Sequence, residues 1–284
     1  MARKLVQLGP TSLAMTLPKK WVDRFNLSSG DEVTVEEKDT WLVVSTEAKT
    51  STETTVFDFE GLKNKAMNLL LSAAYKQGLT DITLINLTKT QKKDVQHALS
   101  SYIGLEKLDT GPSSMRLVDV SRPAEELIDK AQQQMMWKLL NMFDETINGM
   151  KPDDLHQLDM EVNRLSWFLQ RSIAVFYARS QELFMMFEEA GILEALGDTL
   201  KTYNRNVKTK PKAHKVLLGE LKKAVEDLQA FRSKPSMERM LSTRDSIKKI
   251  KLKVRGHPLA QIAQTVDDLL ESVVALKITE LSSA

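Results

Sequence analysis

The chain has no cysteine, which excludes disulfides and thiolate metal sites. Aromatic residues make up only 6% of its 284 positions while methionine occurs 13 times, a balance that suits helix bundles better than β-sandwiches. The only histidines are His97, His156, His214 and His257, and none sits in an HExxH or similar spacing. No G-x-S-x-G and no phosphate-cradling glycine-rich loop occurs, and the 11 glycines fall mainly at turns. The expectation is that the protein is not an enzyme. No run of apolar residues is long enough to span a bilayer. The most apolar stretch, Ile173 to Phe187, is broken by Arg179, Ser180, Gln181 and Glu182 and reads as a core helix. Met1-Ala2-Arg3-Lys4 leads into an alternating pattern, not an apolar segment, so no signal peptide is expected. Together these absences fit a cytoplasmic protein with no membrane insertion.

Composition is otherwise ordinary, with 42% hydrophobic and 27% charged residues, and the length suits two domains. Charge is unevenly placed. The chain carries +2 overall, yet the first 24 residues hold Arg3, Lys4, Lys19, Lys20 and Arg24 against a single acid, Asp23. Residues 1–45 read as strand, tight turn at Gly9-Pro10, strand, short helix begun by Pro18, Gly30-Asp31 turn, and two further strands. The strands fall at Arg3 to Leu8, Thr11 to Leu17, Val33 to Glu37 and Trp41 to Ser45. Such a unit is too small to bury a core alone, so it calls for a partner, and a small basic dimer-requiring unit suits nucleic acid.

The rest divides into two segments. Residues 46–56 are rich in Thr, Ser and Glu and read as a linker. Residues 57–120 read α-β-α-β-β: a helix over Leu62 to Gln77, a strand over Ile82 to Leu87, and a helix over Thr90 to Ile103. A hairpin of Leu105 to Leu108 and Met115 to Val120 follows, giving a small sheet with helices on one face. After Arg122-Pro123 the periodicity is helical to the end, with breaks near Gly149-Met150-Lys151-Pro152, Lys208 to Lys212, Ser233-Lys234-Pro235 and Gly256-His257-Pro258. Six helices with short connections imply a bundle. Leu193 to Leu200 resembles Leu259 to Val266, each in the third helix of a trio. Two tandem three-helix bundles explain this, as does chance similarity between amphipathic helices.

The N-terminal pattern resembles the AbrB/MazE/SpoVT-type swapped-hairpin DNA-binding domain. The residues that carry it are Gly9 to Leu17, Pro18-Lys19-Lys20-Trp21-Val22, and Leu27-Ser28-Ser29-Gly30-Asp31-Glu32-Val33. The resemblance implies an interleaved homodimer whose DNA contacts are Arg3, Lys4, Lys19, Lys20 and Arg24. Thr11 to Thr16 carries no Arg or Lys, a departure from many members. The helical remainder resembles the PhoU family through Leu158 to Leu165 and Leu193 to Thr199. With Leu71 to Gly78 and Tyr102-Ile103-Gly104-Leu105-Glu106 in the middle, the whole order resembles archaeal phosphate-uptake regulators. The implied fold class is α+β: residues 1–46 an AbrB-like head, 57–120 a small α/β segment, and 122–284 a PhoU-like pair of three-helix bundles.

The PhoU resemblance also implies a divalent metal or iron at E/D-x-x-x-D motifs, because carboxylates at i and i+4 share a helix face. Glu194 and Asp198 keep that spacing, and Asp159 is followed at i+4 by Asn163. The repeat offers only Ala260 and Gln264 there. The plainer reading, solvated helix-face charges, is therefore preferred. Two further basic runs, Lys208 to Lys215 and Lys248 to Arg255, suit either a second DNA contact or solvated helix ends. The expected function is a DNA-binding transcriptional regulator of phosphate homeostasis, its tail sensing or transmitting phosphate status. The alternative is an adaptor docking on a phosphate transporter or sensor kinase, with the head serving only to dimerise; Met135, Met136, Met142, Met185 and Met186 suit an adaptable docking surface, with core packing the preferred reading for them.

Overall fold

A computed structural model describes residues 3–38, 41–46, 54–109, 111–121, 126–176 and 181–282. Most of the expected linker, Thr110 and the Arg122-Pro123 break lie outside the described residues. The chain forms two compact units, residues 1–55 and 56–284.

The first unit is built from two antiparallel hairpins and a short helix. Strands β1 (Val6–Gln7) and β2 (Leu13–Ala14) pair Val6 with Ala14 and Gln7 with Leu13. They are shorter than the alternation predicts, although Leu8 N–H still donates to Ser12 O at 2.9 Å across the turn. Helix α1 (Lys19–Arg24) starts after Pro18, whose carbonyl accepts from Trp21 and Val22 N–H. Asn26 and Gly30 take positive φ (49° and 102°) to turn the chain into the second hairpin. There β3 (Thr34–Lys38) and β4 (Trp41–Ser45) pair in register from Thr34↔Ser45 to Lys38↔Trp41.

The second unit begins with a strand hidden from the sequence reading. β5 (Thr55–Asp58) lies within and beyond the expected linker, because one face of this edge strand stays exposed and its Thr-rich start mimics a loop. Then come α2 (Asn64–Lys76), β6 (Asp81–Ile85), α3 (Lys89–Leu99), β7 (Leu105–Asp109) and β8 (Met115–Asp119). The sheet order is β5-β6-β8-β7. Register places Ile82 opposite Leu117 and Leu84 opposite Met115, all buried beneath α2 and α3 with Met67, Leu71, Tyr75 and Val95. Helix α3 ends four residues sooner than its periodicity predicts. Its start is fixed by a Thr88–Gln91 capping box, and Gln91 Nε2 also donates to the Phe59 and Leu62 carbonyls.

The helical part comprises α4 (Glu126–Asn148), α5 (Pro152–Phe176), α6 (Gln181–Asn206), α7 (Lys212–Ser233), α8 (Met237–Lys253), α9 (Ala260–Leu276) and a short α10 (Ile278–Ser282) that the periodicity did not separate. Two trios form, α4-α5-α6 and α7-α8-α9, and they meet α6 against α9 and α4 against α7. Each helix at the junction thus meets its counterpart in the other trio. One apolar core runs through both, from Met135, Leu139 and Phe143 through Leu193 and Leu200 to Leu221, Leu228, Ile262 and Val266. A buried polar knot crosses the junction: Glu189 Oε1 accepts from Gln132 Nε2 at 2.6 Å and from Arg232 Nε at 2.9 Å.

Arg171 of α5 ties the bundle to the sheet lobe. Its side chain is 1% exposed. Nη1 donates to the Tyr75 and Leu79 carbonyls at 2.8 and 3.1 Å, Nη2 pairs with Asp119, and the guanidinium lies 4.8 Å over the Tyr75 ring. Burying an ion pair is costly unless its hydrogen bonds are met, so deleting one partner strands the other. Arg171→Ala is expected to destabilise the protein by about 3 kcal/mol in chemical denaturation, because Asp119 is left buried without its cation. A change no larger than that of an exposed-arginine control would exclude the staple.

Candidate nucleic-acid interface

All five basic residues singled out in the head are exposed: Arg3 and Lys4 before β1, Lys19, Lys20 and Arg24 on α1. Arg3 Nη1 donates to Thr16 Oγ1 at 3.2 Å. Thr16 lies three residues before Lys19, so the Arg3-Lys4 end of the first hairpin and the start of α1 converge. Lys20 and Arg24 stand four apart on α1 and share a face. Lys4, Lys19, Lys20 and Arg24 have no ion pair among the described residues, which leaves their charge available to an external anion. Arginine presents a planar fork to phosphate or a guanine edge, whereas lysine presents a point charge.

No side chain whose burial is described in residues 3–46 is buried. Leu5, Val6, Leu8, Leu13, Met15, Val35 and Leu42 are exposed, Leu8 at 74%. The Trp21 and Phe25 rings meet at 5.3 Å and are only half-covered. Apolar side chains therefore lie open on this small unit beside its cations.

The acidic residues singled out on the bundle lie otherwise. Asp159 on α5 is fully buried, and one of its oxygens pairs with Lys201 of α6. Lys201 also bonds Asp198 Oδ1 at 2.5 Å. The ammonium stands between the two carboxylates, where a metal ion would have to sit. Glu194 is engaged elsewhere, accepting from Ser166 Oγ at 3.1 Å. Among the described residues no group of three or more His, Asp or Glu is placed to hold a metal. The donor set therefore does not fit a metal ion. Asp159 and Asp198 are not both solvated charges either; they form an internal ion triad with Lys201. Lys201 escaped the sequence reading, although its i,i+3 spacing from Asp198 is a signal for such a pair.

Burial pushes the Asp159 carboxyl above the usual range, and Lys201 opposes this through its hydrogen bond and charge. Lys201→Met is expected to destabilise the protein by about 2 kcal/mol near neutral pH, since Asp159 stays buried and charged. With its folded-state pKa raised further, Asp159 takes up a proton in the folded chain before the unfolded one does as pH falls. The deficit of Lys201→Met is therefore expected to shrink on acidification, read from urea midpoints across pH. A deficit constant with pH would contradict the triad.

Comparison with known proteins bears on the head alone. Residues 6–50 match the family described as antidote-toxin recognition MazE, bacterial antitoxin. No curated protein and no solved structure matches the chain. The head is thus similar to the MazE family over residues 6–50, on an α+β chain with a helical C-terminal region, and among the described residues no helix is long and apolar enough to cross a membrane.

Proposed function

We propose that the protein is a homodimeric, DNA-binding transcriptional regulator of the cytoplasm, with two copies of the head closing on each other over operator DNA. The observation that carries this reading is the pairing of exposed cations with uncovered apolar side chains in one small unit that matches the MazE family. A second copy supplies the missing interior and doubles the positive charge, the electrostatic footprint of a nucleic-acid clamp. Arg3, Lys4, Lys19, Lys20 and Arg24 are the contacts. The PhoU-like tail senses or transmits phosphate status, a reading supported by the paired three-helix trios and by the order of segments along the chain. An effector acts by binding one arrangement of the tail better than another. The protein is not an enzyme.

The family description favours one other reading, in which the head belongs to an antitoxin and its open apolar surface takes a protein partner. An adaptor that docks on a phosphate transporter or sensor kinase is a variant of the same idea.

Selection from random duplex DNA with the purified protein separates these. Lys19→Gln/Lys20→Gln/Arg24→Gln is expected to abolish enrichment of a palindromic site while dimerisation survives. Affinity is expected to fall roughly a thousandfold between about 50 and about 200 mM salt if the dimer neutralises about six phosphates. Enrichment unchanged by the triple substitution, or a flat salt response, moves the reading to the protein partner.

A further inference from the structure

The two basic runs of the tail, some forty residues apart, meet at one end of the helical unit. The α6–α7 connection and the start of α7 bring Lys208, Lys210, Lys212 and Lys215, and the α8–α9 connection brings Arg255. What joins them is a ring contact: His214 and His257 lie 4.2 Å apart, edge to face. Tyr203, at the end of α6, hydrogen-bonds His214 Nδ1 at 2.8 Å. His257 Nδ1 accepts the Leu259 N–H at 3.2 Å, which puts the proton of the neutral ring on Nε2.

Two acids on the neighbouring helices are already engaged: Glu220 holds Lys253, and Asp267 holds Lys251. Lys208, Lys212, Lys215 and Arg255 have no ion pair among the described residues. Lys210 leans over the Tyr203 ring at 6.0 Å and reaches only a neutral acceptor, Asn204 Oδ1, at 2.6 Å. Burial and the neighbouring Lys215 push Lys210 below the usual lysine range, and burial and His257 push His214 below the usual histidine range. Lys215 thus faces Lys210, and His257 faces His214. Gathering like charges costs energy, and an anion at their centre would recover it.

We infer that this end of the bundle is a binding site for a free, multiply charged chain of phosphate groups. Lys212, Lys215 and Arg255 lie within two residues of one touching ring pair and come from two different parts of the chain, instead of from a row along one helix, which suits a compact anion better than the linear charge of a duplex. Lysine supplies mobile point charges for phosphate oxygens, Arg255 a forked donor, and His257 its Nε2–H. An occupant would touch the end of α6, the start of α7 and the α8–α9 connection at once, and so bridge the two trios. The site belongs wholly to the second unit and does not depend on how the head is read.

The test is thermal denaturation and titration calorimetry of the full chain with inorganic tripolyphosphate. Tripolyphosphate is expected to raise the melting temperature of the native chain and of Lys19→Gln/Lys20→Gln/Arg24→Gln alike. Lys212→Gln/Lys215→Gln is expected to weaken binding at least about tenfold, as for loss of charge-assisted contacts. Lys208→Gln/Arg255→Gln, on the two connections, is expected to do the same, with unliganded melting not lowered in either variant. The inference is overturned if orthophosphate at equal ionic strength gives the same shift, or if the tail variants bind as the native chain does. It is likewise overturned if the head variant loses binding, or if Lys212 and Lys215 prove to matter for duplex DNA and not for tripolyphosphate.

Discussion

Two hairpins and one turn of helix cannot enclose an interior. In the first unit β1 and β2 pair over two residues each, and α1 spans six. Whatever apolar area it carries must be covered from outside, since hydrophobic burial is the main term available to offset the entropy of ordering the chain. Leu5, Leu8, Leu13, Val35 and Leu42 are all exposed. In the proposed dimer that single constraint sets the rest: it makes the head a twofold object, it brings two sets of Arg3, Lys4, Lys19, Lys20 and Arg24 together, and it fixes the spacing at which they meet a duplex.

The second unit follows a different logic. Its apolar cores need no outside help, so its distinctive features are the buried charges that fix how helices meet. Arg171 binds the sheet lobe through Asp119 and two carbonyls. Lys201 joins α5 to α6 through Asp159 and Asp198. Glu189 joins α4, α6 and α7 through Gln132 and Arg232. Such interactions contribute little net stability over apolar packing, but they penalise any other register, because a shifted helix leaves a charge buried and alone.

Most of the helical architecture was legible in the sequence. A stripe such as Leu155, Leu158, Val162, Leu165, Leu169, Ile173 and Phe176 specifies a helix and its inward face with no outside information. The trios were legible through their breaks and the Leu193–Leu259 likeness. β5 was not, because a half-exposed edge strand with a Thr-rich start differs little from a linker. Among candidate site residues, the five head cations came from local charge together with a family resemblance, and all five are exposed. Of the acidic set, read as solvated helix-face charges, Asp198 is exposed but Asp159 is fully buried. Spacing on one helix suggests which carboxylates share a face but cannot say what sits across from them.

By itself, then, the sequence determined the local matters: which segments are helices or strands, where they stop at Gly149 or Pro235, and that the first unit is basic and lacks a core. These depend on neighbours within a few residues, where period and turn chemistry act. Tertiary structure alone decided that Arg171 is buried against Tyr75, that the Lys201 ammonium of α6 meets Asp159 of α5, and that His214 meets His257. Each is a contact between residues far apart or on different elements. Its partner is chosen by packing of whole helices, and an ionisable side chain carries no mark of the charge it will face.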